Sequence, residues 1–143
     1  MIVLDANILL YAYDSASSKH ARARTWIEKV FSQAEPIGLP WQTIGAFLRI
    51  MTNPRLPGDR FSLEEAVEVV DRWLEQPNIR LLAQGEDHWT LLRRMILEGQ
   101  APGALVSDAQ LAALTIEFGG TLHTTDRDFA RFPGLRWKNP LER

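Results

Sequence analysis

Four aspartates in this chain are spaced so that a fold can gather them: Asp5, Asp108, Asp126 and Asp128. Asp5 comes directly after the apolar run Ile2-Val3-Leu4, and Asp126 and Asp128 follow the stretch from Thr121 to Thr124. Asp108 stands in the first turn of a helix-forming segment, just after Ser107. Carboxylates brought to one point repel each other, and a divalent cation relieves that repulsion. Mg2+ and Mn2+ take oxygen ligands, and Mg2+ keeps several waters. A cation held this way activates a water and offsets charge on a phosphodiester. An acidic set without His or Cys ligands therefore points to phosphate chemistry.

Each member taken alone has a plainer explanation. Asp108 would serve as a helix cap or dipole partner. Asp126-Arg127-Asp128 would be a turn with an internal ion pair. Asp5 is harder to dismiss, because a carboxylate directly after a buried strand needs a partner. Asn7 is expected to bond backbone or Asp5 and stiffen the turn. The chemistry lies in the set. His20, His88 and His123 show no ligand spacing, and no Gly-rich phosphate loop is present. The absence of cysteine excludes disulfides, thiolate zinc sites and cysteine nucleophiles.

The elements that must position these aspartates alternate between strand and helix. Ile2 to Leu4 reads as a buried strand ending at Asp5. Ser17-Ser18 is a candidate cap for a helix whose inner face is Ala23, Trp26, Ile27, Val30, Phe31 and Ala34. Ile37 to Leu39 reads as a second strand. Trp41 to Thr52 reads as a helix with Ile44, Phe47, Leu48 and Met51 inward. Asn53 to Arg60, with Pro54, Pro57 and Gly58, is a loop. Ser62-Leu63-Glu64-Glu65 matches a capping box, and Val67, Val70, Trp73 and Leu74 form the apolar side of the helix it opens. Ile79 to Leu82 is a third strand. Asp87 to Glu98 is a helix with Trp89, Leu92, Met95 and Ile96 inward. Ser107 caps a helix to Phe118, which Gly119-Gly120 terminates. Thr121 to Thr124 is a strand, and Leu135 to Trp137 a last edge strand. The five tryptophans read as packing residues. Short apolar strands alternating with helices indicate an α/β/α sandwich around a mostly parallel sheet. In such sheets the binding crevice lies outside the carboxyl ends of the strands, where Asp5 and Asp126 fall.

At 143 residues the chain fits one domain over residues 1–143, with enough length for a real core. No apolar run is long enough to cross a membrane. The N-terminus lacks the basic and long apolar regions of a signal peptide, so a cytoplasmic location and no membrane partner are expected. The net charge of −2 argues against a general nucleic-acid coat protein, though not against an enzyme acting on nucleic acid. All but three of the basic residues are arginine, which forks onto phosphate. Arg49, Arg55 and Arg127 are candidates for phosphate contact.

Four segments in this order carry a resemblance. They are Ile2-Val3-Leu4-Asp5-Ala6-Asn7-Ile8-Leu9-Leu10-Tyr11-Ala12, Phe47 to Pro54, Ser107 to Leu114, and Thr124 to Phe132. Together they resemble the PIN domain of VapC toxins from VapBC toxin–antitoxin modules, over almost the whole chain. The resemblance implies an α/β/α fold, Mg2+- or Mn2+-dependent endoribonuclease activity on an RNA substrate, a cognate VapB-like antitoxin and a homodimer. It implies that Asp5 and Asp108 are the main metal ligands. Asp126 matches the late acidic position with Asp128 as neighbour, and Thr125 matches a polar position beside Asp126. One departure stands out. PIN nucleases usually carry an acidic residue in the second helix region, near Gln42 to Ala46 here. This chain has no Asp or Glu between Glu35 and Asp59. Gln42 or a water is expected in that place, and a single well-held metal is the preferred picture.

Two other readings compete. One is a PIN-like module that binds RNA or protein without turnover, suggested by the missing acidic residue. The other is a phosphatase of the haloacid dehalogenase type, which also opens on a strand and an aspartate. That class needs a second aspartate two residues on, where this chain has Asn7, and a lysine near the site, where the only lysines are Lys19, Lys29 and Lys138.

Overall fold

The computed structural model describes residues 1–55 and 60–142. Pro57 and Gly58, read above as part of a loop, lie outside the described residues. Five strands form one parallel sheet in the order β3-β2-β1-β4-β5 among the described residues. They are β1 Ile2–Leu4, β2 Ile37–Pro40, β3 Ile79–Leu82, β4 Thr121–His123 and β5 Trp137–Lys138. The last strand sits slightly later than the Leu135 to Trp137 expected. β1, at the centre, is buried on both faces, as a parallel sheet covered by helices requires.

The side chains of β1 alternate between two cores. Ile2 and Leu4 join Ile37 and Leu39 beneath α1 Ala6–Tyr13, α2 His20–Phe31, α3 Trp41–Met51 and α4 Leu63–Glu75. Val3 joins Leu82 and Leu122 on the other face, under α5 His88–Gly99 and α6 Leu105–Glu117. These are the three layers expected.

Several local readings change. The segment after Asp5, assigned no element from the sequence, is the helix α1. Its run Ala-Asn-Ile-Leu-Leu-Tyr-Ala-Tyr is apolar nearly all round, which hides a 3.6-residue period. Ser17-Ser18 does not cap α2. Ser17 Oγ accepts from Lys19 N in a local turn, and α2 begins one residue later. Ser107 does not cap α6 either. The Pro102-Gly103 turn already satisfies the first amides, since Leu105 N donates to Pro102 O and Val106 N to Gly103 O. The helix therefore starts at Leu105 and carries Ser107 inside it. The capping box does form: Glu65 N donates to Ser62 Oγ and Ser62 N to Glu65 Oε1. On α4 the buried stripe is Ala66, Val69, Val70 and Trp73, so Val67 and Leu74 are exposed. Trp89 is exposed as well, because α5 packs chiefly on α6 and its far side meets solvent. Trp41 is the other exposed tryptophan.

A carboxylate site at the carboxyl edge of the sheet

β1 and β4 run parallel in register, Leu4 beside His123, so both deliver their next residues to one sheet edge. Asp5 follows β1, and its amide donates to His123 O at 3.1 Å. Asp5 is also the N-cap of α1, its Oδ1 accepting from Ala6 N at 2.7 Å. One residue thus ends the strand, starts the helix and faces the edge.

Thr124 is fully buried one step beyond β4, and its hydroxyl is a three-way junction. It accepts from Asn7 Nδ2 at 3.2 Å and from the Asp126 amide at 3.0 Å. A hydroxyl has two acceptor positions and one proton. With both acceptor positions taken, the proton goes to Asp5 Oδ2, 2.7 Å away. The sequence had pointed to Thr125, which makes no side-chain hydrogen bond among the described residues. It had also expected Asn7 to bond backbone or Asp5. Instead Asn7 reaches Asp5 through Thr124, and Asn7 Oδ1 is left buried without a hydrogen-bond partner among the described residues.

Asp126 caps the short 3-10 turn Arg127–Arg131, its Oδ1 accepting from Asp128 N at 2.9 Å. Asp108 lies in the first turn of α6, half-buried and without a hydrogen-bond partner among the described residues. Its surroundings are electrostatic. Burial first, then the charges of Asp126, Asp5 and Asp128, push its carboxyl up to about 6, against a smaller opposing pull from Arg131. Asp5 is also raised, chiefly by burial and slightly by Asp126, while the bonds from Thr124 and Ala6 work the other way. Asp108 therefore feels the other three aspartates named from sequence, and Asp5 feels Asp126.

Gln42 closes the ring. Its Nε2 donates to Ser107 O at 2.8 Å and links the start of α3 to the residue before Asp108. Thr43 Oγ1, buried, donates to Leu4 O at 2.7 Å and pins the same turn of α3 to β1. Of the candidate phosphate contacts, Arg49 is exposed on α3 and Arg55 lies beyond its end. Arg127 pairs with Glu142 at 3.3 Å on the surface. His123, stacked on Trp26 with centroids 5.3 Å apart, is held below its ordinary pKa by burial.

The oxygen donors suit a hard divalent cation. No three His, Asp or Glu side chains among the described residues converge tightly enough to grip an ion alone. Mg2+ does not require that, since it is commonly held by one or two carboxylates, waters and substrate phosphate. The mutual repulsion at Asp108 and the partnerless Asn7 oxygen fit a place for positive charge.

The PIN domain family model matches residues 2–135. The chain belongs to the PIN-domain family. Its relatives place it with the VapC proteins of that family. It is 37% identical to ribonuclease VapC43 of Mycobacterium tuberculosis, over 99% of this chain and 97% of that protein. It is 36% identical to ribonuclease VapC33 of the same species, over 99% of both. Among solved structures, a chain of VapBC2 from Rickettsia felis, bound to a DNA fragment from their promoter, superposes with a TM-score of 0.71 at 17% identity. That match covers 97% of this PIN-domain chain and 98% of that one. VapC20 of Mycobacterium tuberculosis, a sarcin-ricin loop cleaving toxin, superposes with a TM-score of 0.68 at 16% identity, covering 95% and 99%. At such identities the superpositions speak for the fold.

Proposed function

We propose that this PIN-domain protein is a divalent-metal-dependent endoribonuclease and the toxin of a toxin–antitoxin pair. The observation that carries the reading is the Thr124 junction, which presents Asp5 and Asp126 together at the edge that Asp108 overlooks. The relatives named as VapC ribonucleases support the substrate class.

Asp5 and Asp108 would hold Mg2+ or Mn2+, with Asp126 and Asp128 completing the shell through water. When bound, the ion lowers the pKa of a water and offsets charge on the phosphodiester. The protein's part is to fix the donors. The Thr124 proton keeps Asp5 Oδ2 turned to one side and favours its ionised form. The Ala6 amide does the same for Oδ1. The free lone pairs of both oxygens remain for the cation. Asp126, held by its own cap to Asp128 N, would orient the attacking water.

Silencing such a pocket calls for positive charge, so the partner is a VapB-like antitoxin that presents Arg or Lys to Asp5, Asp108 and Asp126. The Rickettsia felis structure, a VapBC pair, supports a partner of this kind. A homodimer is the expected assembly. The test is cleavage of RNA by the purified chain with Mn2+, with a chelator, and with Asp5→Asn. Cleavage by the wild type alone, and only with metal, is expected. Binding of RNA without any cleavage would favour a PIN-like binding module instead.

A further inference from the structure

The acidic gap between Glu35 and Asp59 has a structural counterpart. α3 carries no carboxylate, yet it starts at the carboxylate site. Val3 pairs with Gly38 across β1 and β2, so the same register carried two residues on sets Pro40 beside Asp5. Trp41 follows at once as the first residue of α3, and its neighbour Gln42 is bonded to Ser107 O. Trp41 is 53% exposed, an unusual state for the largest apolar side chain at the rim of a polar site. One and two turns further along the same face come Gly45 and Arg49, both exposed. Arg49 makes no ion pair among the described residues. A Cβ on Gly45 would meet nothing within 4 Å, so packing does not demand glycine there. Glycine inside a helix is disfavoured against alanine, and its retention leaves the surface between Trp41 and Arg49 bare.

We propose that Trp41, Gly45 and Arg49 form a track on α3 for an unpaired RNA strand, Trp41 stacking a base beside the carboxylate site and Arg49 holding a phosphate. This deepens the ribonuclease reading and rests on it for the choice of RNA. The stack needs an unpaired base, because a base inside a duplex has no face free to lie on an indole. Helix rise sets Trp41 and Arg49 about 12 Å apart, a span of a few nucleotides. The missing carboxylate then has a purpose: α3 is the wall of the acidic pocket along which a polyanion approaches without repulsion.

The test is anisotropy of two labelled probes in metal-free buffer, so that nothing is cut: a short oligoadenylate and an abasic ribose-phosphate oligomer of equal length. Trp41→Leu is expected to weaken oligoadenylate binding roughly tenfold and to leave the abasic oligomer unchanged. Trp41→Phe restores most of the loss. Gly45→Gln weakens oligoadenylate binding while raising the melting temperature, which separates track from fold. Arg49→Gln weakens both probes and lowers the salt dependence by about one counterion. Unchanged oligoadenylate binding by Trp41→Leu, or equal loss of both probes, overturns the proposal. An effect of Trp41→Leu on antitoxin binding or self-association alone does the same. Cleavage is scored separately with Mn2+. Base-dependent binding without cleavage sinks the nuclease reading and keeps the track. Cleavage by Trp41→Leu with unchanged KM sinks the track and keeps the nuclease.

Discussion

Asp5 and Asp108 face the same edge of the sheet, but the chain holds them in opposite ways. Asp5 is bonded on both oxygens, to the Ala6 amide and the Thr124 hydroxyl. Asp108 has no hydrogen-bond partner among the described residues and is stressed by three neighbouring carboxylates. The first carboxylate is set in advance by the fold. The second carries a charge that its surroundings leave uncompensated. Under the proposed function a cation would meet one rigid point and one electrostatic point, and would supply the charge the second lacks.

Removing either donor should have the largest effect. Asp5→Asn and Asp108→Asn should each lower cleavage by more than about a hundredfold, beyond what loss of an outer partner causes. Rates with Mn2+ and melting curves check this. Near-wild-type rates in either variant would break the comparison by making that residue structural.

Thr124→Val comes next. It removes the proton given to Asp5 and strands the Asn7 amide and the Asp126 N–H. Activity should fall roughly 10- to 100-fold, and stability by about 1–3 kcal/mol. Thr124→Ser should recover both, and Thr125→Val should change neither. A loss in Thr125→Val equal to that in Thr124→Val would return the supporting role to the residue the sequence favoured.

A third effect has the opposite sign. The Asp108 carboxyl is raised from 3.8 to about 6 in the folded chain. A raised acid is most favourable to folding when protonated. Its contribution is fully present below 3.8 and is lost as pH rises through about 6. At pH 7 the metal-free chain therefore carries an ionised Asp108 that opposes folding. The shift alone would be worth about 3 kcal/mol. Asp108 is partly open to solvent, and screening reduces this to about 1 kcal/mol. Asp108→Asn should stabilise the metal-free protein at pH 7 by that amount and not below pH 4. Added Mn2+ should stabilise the wild type more than the variant. Melting across pH, with and without Mn2+, reads both.

The smallest effect is expected at Arg127. It pairs with Glu142 on the open surface, a contact worth about 0–1 kcal/mol. Arg127→Ala should leave kcat within a few-fold and stability nearly unchanged.

Much of this was legible in the sequence because it depends on local pattern. Short apolar strands, the capping box at Ser62 and the apolar spacing of α3 each follow from neighbouring residues. Asp5 was legible because an acid directly after a buried strand is hard to explain otherwise, and Asp108, Asp126 and Asp128 were legible only as the set they form with it. What the sequence hid depends on contacts across the chain. Thr124 and Thr125 are alike in composition, and only the β1–β4 register tells which hydroxyl meets Asp5, 119 positions away. α1 was hidden because a helix apolar nearly all round shows no period. Trp89 and Val67 follow a helical period yet lie outside the core, since the period marks an apolar stripe and not how much of it a neighbour covers.

Under the proposed function, water and not the RNA's own 2′-hydroxyl would attack the phosphodiester at this carboxylate site, with Asp5 and Asp108 holding the ion that activates it. Cleavage by the 2′-hydroxyl needs a base, most often histidine, and the site offers aspartates while His123 is buried against Trp26. End-group analysis of the cleaved RNA tests this directly. Water attack on the side that frees the 3′-oxygen predicts 5′-phosphate and 3′-hydroxyl ends, formed only with Mg2+ or Mn2+. Products ending in 2′,3′-cyclic phosphate, formed equally well in a chelator, would contradict it.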